Sequence, residues 1–152
     1  MLARPQQGRI ISLSDPVLTP HSAFVYLMVI VAAADSNMAG AEIDAMSNTV
    51  AGLPAFRDYD RGKLLSAVRS CSDILQHGEG LETVLGLVSE ALPTGLRDTA
   101  YAVACTVAIS DGKVGQEELR LLEMIRHALD IDRLVAAAIE RGVAALNRKL
   151  PH

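Results

Sequence analysis

An all-α fold, a compact bundle of about seven helices, follows from three features of the sequence. Half of the 152 residues are hydrophobic, yet only five are aromatic: Phe24, Tyr26, Phe56, Tyr59 and Tyr101. The core must therefore be built from Ala, Leu, Val, Ile and Met, a mixture that favours helices packed closely on small side chains. Apolar residues recur at spacings of three and four along most of the chain, and no segment alternates as a half-buried strand would.

The helices can be placed in order. Thr19 caps the first and Pro20 occupies its first position, where a missing N–H costs nothing; it runs to about Asp35. Phe24 to Ala34 is apolar all round, so this helix is expected to be surrounded by others. Its eleven residues fall well short of the roughly 20 needed to span a bilayer. A second helix carries Ile43, Met46, Val50 and Leu53 until Pro54 stops it. Pro54 to Gly62 is a polar loop, after which Asp58 or Asp60 caps a third helix with the stripe Leu64, Leu65, Val68, Cys71 and Leu75. Gly78 to Gly80 closes that helix. The fourth holds Leu81, Val84, Leu85, Val88 and Leu92 and stops at Pro93. The fifth starts near Gly95, is almost wholly apolar from Ala100 to Ile109, and ends at Asp111-Gly112. The sixth presents Leu119, Leu122, Ile125 and Leu129, and the seventh Ile131, Leu134, Val135, Ala138, Ile139, Val143 and Leu146.

A chain of this length suits one domain, since it can bury roughly 70% of its unfolded surface. Residues 1–18 read as an N-terminal tail without the apolar stretch of a signal peptide, and residues 19–150 as the helical domain. The formal charge of −4 argues against a phosphate-backbone binder, which runs on clustered Lys and Arg, so no nucleic-acid partner is expected. Cys71 and Cys105 sit inside apolar helical patterns with no CxxC spacing and are expected to be reduced and buried in a cytoplasmic protein.

Shifting the chain by 76 positions aligns Val31, Ala32, Asp35, Glu42 and Leu53 with Val107, Ala108, Asp111, Glu118 and Leu129, five identities. Met38, Ile43 and Met46 then fall on Val114, Leu119 and Leu122. Each copy reads buried helix, aspartate, short turn, then a glutamate opening an amphipathic helix, with the repeats spanning about residues 24–76 and 100–150. The two turns stand as AAADSNMAGAEI (Ala32 to Ile43) and AISDGKVGQEEL (Ala108 to Leu119). At these residues the chain resembles the TerB-like family, named for tellurite resistance, over roughly residues 20–147. The first copy departs from the family pattern in carrying Ser36 where glycine is usual.

The resemblance implies a compact all-helical fold, a tellurite and stress response linked to the membrane periphery, and a metal ion held by acidic residues. Carried over position by position, those are Asp35, Glu42, Asp111 and Glu118. Four carboxylates drawn together by two related turns would suit a hard cation such as Ca²⁺ or Mg²⁺, which prefers oxygen ligands. A purely structural reading stands beside this one. In it, Asp111 bonds loop amides and Glu118 reaches back to a capping Gly115 as half of a capping box, complementing the helix dipole. Asp111 to Leu119 also imitates the second half of an EF-hand loop, but Val107 and Ile109 occupy the positions of its first two oxygen ligands.

No nucleophile elbow, phosphate loop or dinucleotide fingerprint is present, so an enzyme is not expected. Glu123 and His127 form an (i, i+4) pair that reads as a solvated contact, and Arg141, Arg148 and Lys149 give the last helix a basic end suited to its dipole. Phe56 and Tyr59 are candidate partner contacts on the Pro54 to Gly62 loop, with the alternative that Phe56 folds back over the core. The function expected is that of a non-enzymatic TerB-like module binding a divalent cation or a protein partner through its acidic turns. The alternative is an interaction domain whose acidic turns are helix caps.

Overall fold

A computed structural model describes residues 18–34, 40–109 and 114–151, with the side chains of Gly40 and Ala41 excepted. Among the described residues there are seven α-helices and no strand: α1 (Pro20–Ala32), α2 (Gly40–Ala51), α3 (Leu64–Leu75), α4 (Gly80–Ala91), α5 (Arg97–Ala108), α6 (Gln116–Ala128) and α7 (Arg133–Leu146). Short 3₁₀ turns at Arg61–Lys63 and Thr94–Leu96 run directly into α3 and α5, and a third, Pro54–Phe56, lies in the connection between α2 and α3.

The uniformly apolar α1 is the axis of the fold. All nine residues from Ala23 to Val31 are buried, because α2, α3, α4, α5 and α6 pack around it. Thr19 caps it as expected, its hydroxyl accepting from the Ser22 amide at 3.0 Å. The second buried helix, α5, lies against α1 on one side and α7 on the other. Its Ala100, Ala104 and Ala108 are buried beside Tyr101, Val103 and Cys105, small side chains that let helix axes approach.

Local chemistry explains most helix ends. Asp60 accepts from the Gly62 amide at 2.9 Å and so starts the 3₁₀ turn that runs into α3. Gly80, the buried first residue of α4, has no room for a Cβ, which would collide with the Ile74 carbonyl oxygen and the Leu75 Cα. Glycine here lets the α3–α4 corner close. α6 ends with Asp130 at φ 54, where the Ile131 amide bonds the Arg126 carbonyl at 3.0 Å and the Asp130 amide that of His127 at 3.1 Å. This is the Schellman arrangement, built on aspartate instead of glycine. Asp132 then caps α7 through the Leu134 amide at 3.0 Å.

Side chains on three helices differ from the sequence expectation. Leu65 is exposed while Ala67 and Val68 turn inward on α3. On α6 the inward row is Glu118, Leu122, Ile125 and Leu129, and Leu119 is 55% exposed. On α7 the buried positions are Ala136 and Val143, whereas Leu134 is 79% and Leu146 87% exposed. The reason on α7 is visible in its contact with α5. The Tyr101 hydroxyl donates to Glu140 Oε2 at 2.5 Å, a charge-assisted length, and this bond turns the Ala136–Glu140–Val143 face toward α5. Because α7 is apolar on several sides, its sequence allows more than one face to bury, and the buried tyrosine selects one.

A second tie holds the far corner. The Arg97 guanidinium donates to the Leu129 carbonyl at 2.8 Å and to the Ser89 carbonyl at 3.3 Å. It thereby joins the start of α5 to the end of α6 and the last turn of α4, where unpaired carbonyls favour a cation.

Candidate functional site

The two acidic turns predicted from the sequence fall between α1 and α2 and between α5 and α6. α1 terminates at Ala33 and Ala34, whose amides bond the Val29 and Val31 carbonyls at 2.9 and 3.2 Å. α2 then opens with half-buried Glu42 in its first turn. At the end of α5 the Ile109 amide bonds the Cys105 carbonyl at 2.9 Å, and α6 opens from Gly115, with Glu117 and Glu118 in its first turn. Asp35 and Asp111 lie outside the described residues, so the four carboxylates predicted from the sequence are represented here by Glu42 and Glu118. Among the described residues, no group of three or more His, Cys, Asp or Glu side chains could hold a metal ion.

Glu118 is the buried charged residue of the described set, at 8% exposure. A carboxylate so enclosed has to be compensated by hydrogen bonds or positive charge, and Glu118 is not without a partner. Its Oε1 folds back over Gly115 so closely that a Cβ there would collide with it. The φ of −73° at Gly115 is open to any residue, so a side chain there would require only that the end of the flexible Glu118 side chain shift. Glu118 takes the inward place that periodicity assigned to Leu119.

The flanks of the two turns meet at one end of the molecule. Ala33 and Ala34, leading into the first turn, share a groove of about 500 Å³ with Glu117, Arg120 and Leu121, which lead out of the second, and with Leu81 of α4. The groove is largely apolar along its floor and bears Glu82, Glu117 and Arg120 as charged groups. Sequence reasoning did not single out Arg120 or this groove, because its walls come from helices far apart in the chain.

The loop aromatics lie at the other end of α1. Phe56 is buried and meets Phe24 edge-on, with ring centroids 5.4 Å apart, so it folds back over the core; half-buried Tyr59 stands edge-on to it at 5.0 Å. The remaining candidates are occupied or closed. His127 Nε2 lies 3.1 Å from Arg126 Nη2; the guanidinium can only donate, so that nitrogen is the acceptor. Cys71 and Cys105 are free, buried thiols whose pKa burial pushes up to about 12, which leaves almost no thiolate for redox chemistry at neutral pH.

The family model described as tellurite resistance protein TerB matches residues 21–140. The chain belongs to the TerB family. The match takes in both acidic turns and all seven helices as far as the middle of α7, and the all-helical bundle agrees with it. The family is one associated with tellurite resistance. Neither a curated protein nor a solved structure matches the chain. Among the described residues, no helix is long and apolar enough to cross a membrane.

Proposed function

We propose that this TerB-family chain is a non-enzymatic cytoplasmic module of a tellurite or stress response, and that its two acidic turns hold a divalent cation, Ca²⁺ or Mg²⁺, through Asp35, Glu42, Asp111 and Glu118. Cation binding joins the two turns through one ion and presents the adjoining groove to a protein partner at the membrane periphery. The observation that carries this reading is the position of Glu118: a buried carboxylate at the mouth of a turn whose flanks share a groove with those of the other turn. Oxygen ligands arriving from two turns suit a hard cation, whose charge offsets the repulsion between carboxylates. The apolar floor of the groove, with Arg120 beside two glutamates, offers an amphipathic partner helix both burial and charge contacts.

One observation favours the structural alternative. Glu118 folded over Gly115 is the placement that a capping box uses, and such a cap contributes about 0.3–1 kcal/mol with no ion present. Thermal unfolding with Ca²⁺, Mg²⁺, Mn²⁺ or Zn²⁺ separates the two. An ion at one hundred times its dissociation constant adds about 2.7 kcal/mol, a rise of roughly 5–10 °C for a domain of this size. Asp111→Asn combined with Glu118→Gln should abolish the rise. A wild-type transition indifferent to all four ions would leave the carboxylates as helix caps.

A further inference from the structure

Six large hydrophobic side chains are exposed among the described residues, and four of them, Leu134, Val135, Leu146 and Leu150, lie on α7 or just after it. α7 packs on α5 with the face that carries Ala136, Glu140 and Val143. Its opposite face carries Leu134, Ala138, Gly142 and Leu146, four positions apart and all exposed, with Val135 and Ala145 beside them. Residues at that spacing form one continuous ridge along a helix. A monomeric protein rarely leaves a long apolar ridge in water without a use for it.

Two features of the ridge say what covers it. The first is its centre. A Cβ at Gly142 would meet nothing, so no contact inside the molecule calls for glycine there, although glycine in a helix interior is less stable than alanine. A close approach from outside does call for it. With Ala138 one turn earlier, Gly142 leaves a saddle between two leucines, shallow enough for another helix to settle into. Gly86 of α4 is open in the same way, but its exposed neighbours on that face are Glu82, Thr83 and Glu90, so no apolar ridge runs through it.

The second feature is symmetry. Counted outward from Glu140, Gly142 mirrors Ala138, Leu146 mirrors Leu134, and basic Arg148 mirrors exposed Asp132; Lys149 adjoins the one and Asp130 lies close to the other. A two-fold contact needs a patch of this kind, because each residue meets its mirror position on the other copy. Antiparallel packing sets saddle on saddle and brings the acidic head of each helix to the basic tail of the other, at both ends at once. Parallel packing would set like charges together. Arg133 falls on the α5 side of the helix, and Arg141 stands at the edge of the ridge in water. A lipid surface is a poorer match, since α7 has no aromatic residue, its apolar face is smallest at the centre, and one end is acidic.

We propose that α7 is a self-association surface, on which a second copy of this chain packs its own α7 antiparallel about a two-fold axis at the level of Glu140. Gly142 of each copy then lies against Ala138 of the partner subunit. The contact is independent of the acidic turns and of any bound ion. Two helices each about 20 Å long bury less than the roughly 1,200 Å² of the smallest stable interfaces. The dimer is therefore reversible, with a dissociation constant of about 10–100 μM.

Sedimentation equilibrium of the full-length protein from about 1 to about 500 μM brackets that range. The average mass should climb from one copy toward two and stop there, as a closed two-fold contact requires. Gly142→Gln, which puts a long side chain into the saddle, should raise the dissociation constant at least about tenfold. Its thermal midpoint at about 1 μM should stay level or rise, since the open site accepts the side chain and glutamine is the better helix former. Arg148→Glu with Lys149→Glu should weaken the dimer by a similar factor, and raising salt from about 50 to about 500 mM should weaken that of the wild type. A mass of one copy at every concentration, growth beyond two copies, a dimer indifferent to Gly142→Gln, or one strengthened by salt would each overturn the proposal. A monomer that instead binds vesicles of anionic phospholipid would give this face to a membrane.

Discussion

Tyr101→Ala should lower the unfolding free energy by about 3–5 kcal/mol, the range for truncating a fully buried aromatic side chain. Tyr101 is among the largest wholly buried side chains of the protein and stands between the two helices that depend on it, α5 and α7. Two contributions are mixed in that loss, and Tyr101→Phe separates them. The phenylalanine keeps the ring packing and removes only the donor to Glu140, for which a cost of about 1.5–3 kcal/mol is expected, as for hydrogen bonds to charged groups. Leu134→Ala serves as the control: although it belongs to the apolar stripe read from periodicity, it faces solvent and should change stability by less than about 0.5 kcal/mol. Urea unfolding at about 1 μM protein, where the α7 contact between copies is dissociated, measures all three, and the shifts should appear in the midpoint with the slope unchanged. If Leu134→Ala cost as much as Tyr101→Ala, the orientation of α7 described above would be wrong.

Phe24→Ala should cost a similar amount, about 3–5 kcal/mol, with a local consequence that Tyr101 lacks. Phe24 supports Phe56 edge-on, and Phe56 supports Tyr59 and His21. Removing the first ring takes away the seat of the second, so the 54–62 segment should loosen before the bundle unfolds. Hydrogen exchange of the amides of Phe56, Arg57 and Tyr59 should accelerate well beyond that of Val103 and Ala104 in α5. Uniform acceleration across both regions would show that the aromatic cluster has no separate role in holding the loop.

Much of this architecture could be read from the sequence, and the exceptions share a cause. Ala23 to Val31 reads as buried on all sides and is so, because a helix without a polar face has no way to rest on a surface. The Thr19 cap, the stop at Pro54 and the close at Gly80 were legible because capping and turn chemistry are local. The face that α7 buries was not. Its alanines, valines and leucines surround the helix, and the choice depends on Tyr101, which is 39 residues away from Glu140. Leu119 and Glu118 exchange expected roles for a similar reason: periodicity ranks leucine as the inward residue, but the carboxylate is the group that can reach back over Gly115.

The candidate functional residues divide in the same way. Motif spacing led to the acidic turns, since each pairs its aspartate and glutamate within eight positions of one segment. It could not lead to the groove between Ala33 and Arg120, whose walls meet only after folding. Phe56 and Tyr59 were visible as loop aromatics, but only the fold shows Phe56 to be a core prop and Tyr59 the ring that stands against it.

The central claim is that both acidic turns serve one cation, and paramagnetic broadening by Mn²⁺ in an amide NMR spectrum tests it most directly. Substoichiometric Mn²⁺ should broaden the amides of Ala33 and Ala34 together with those of Gly115 and Leu119, at the same ion concentration, and leave those of Phe56 and Tyr59 sharp. Broadening at one turn alone, or spread evenly over the acidic surface, would contradict the claim.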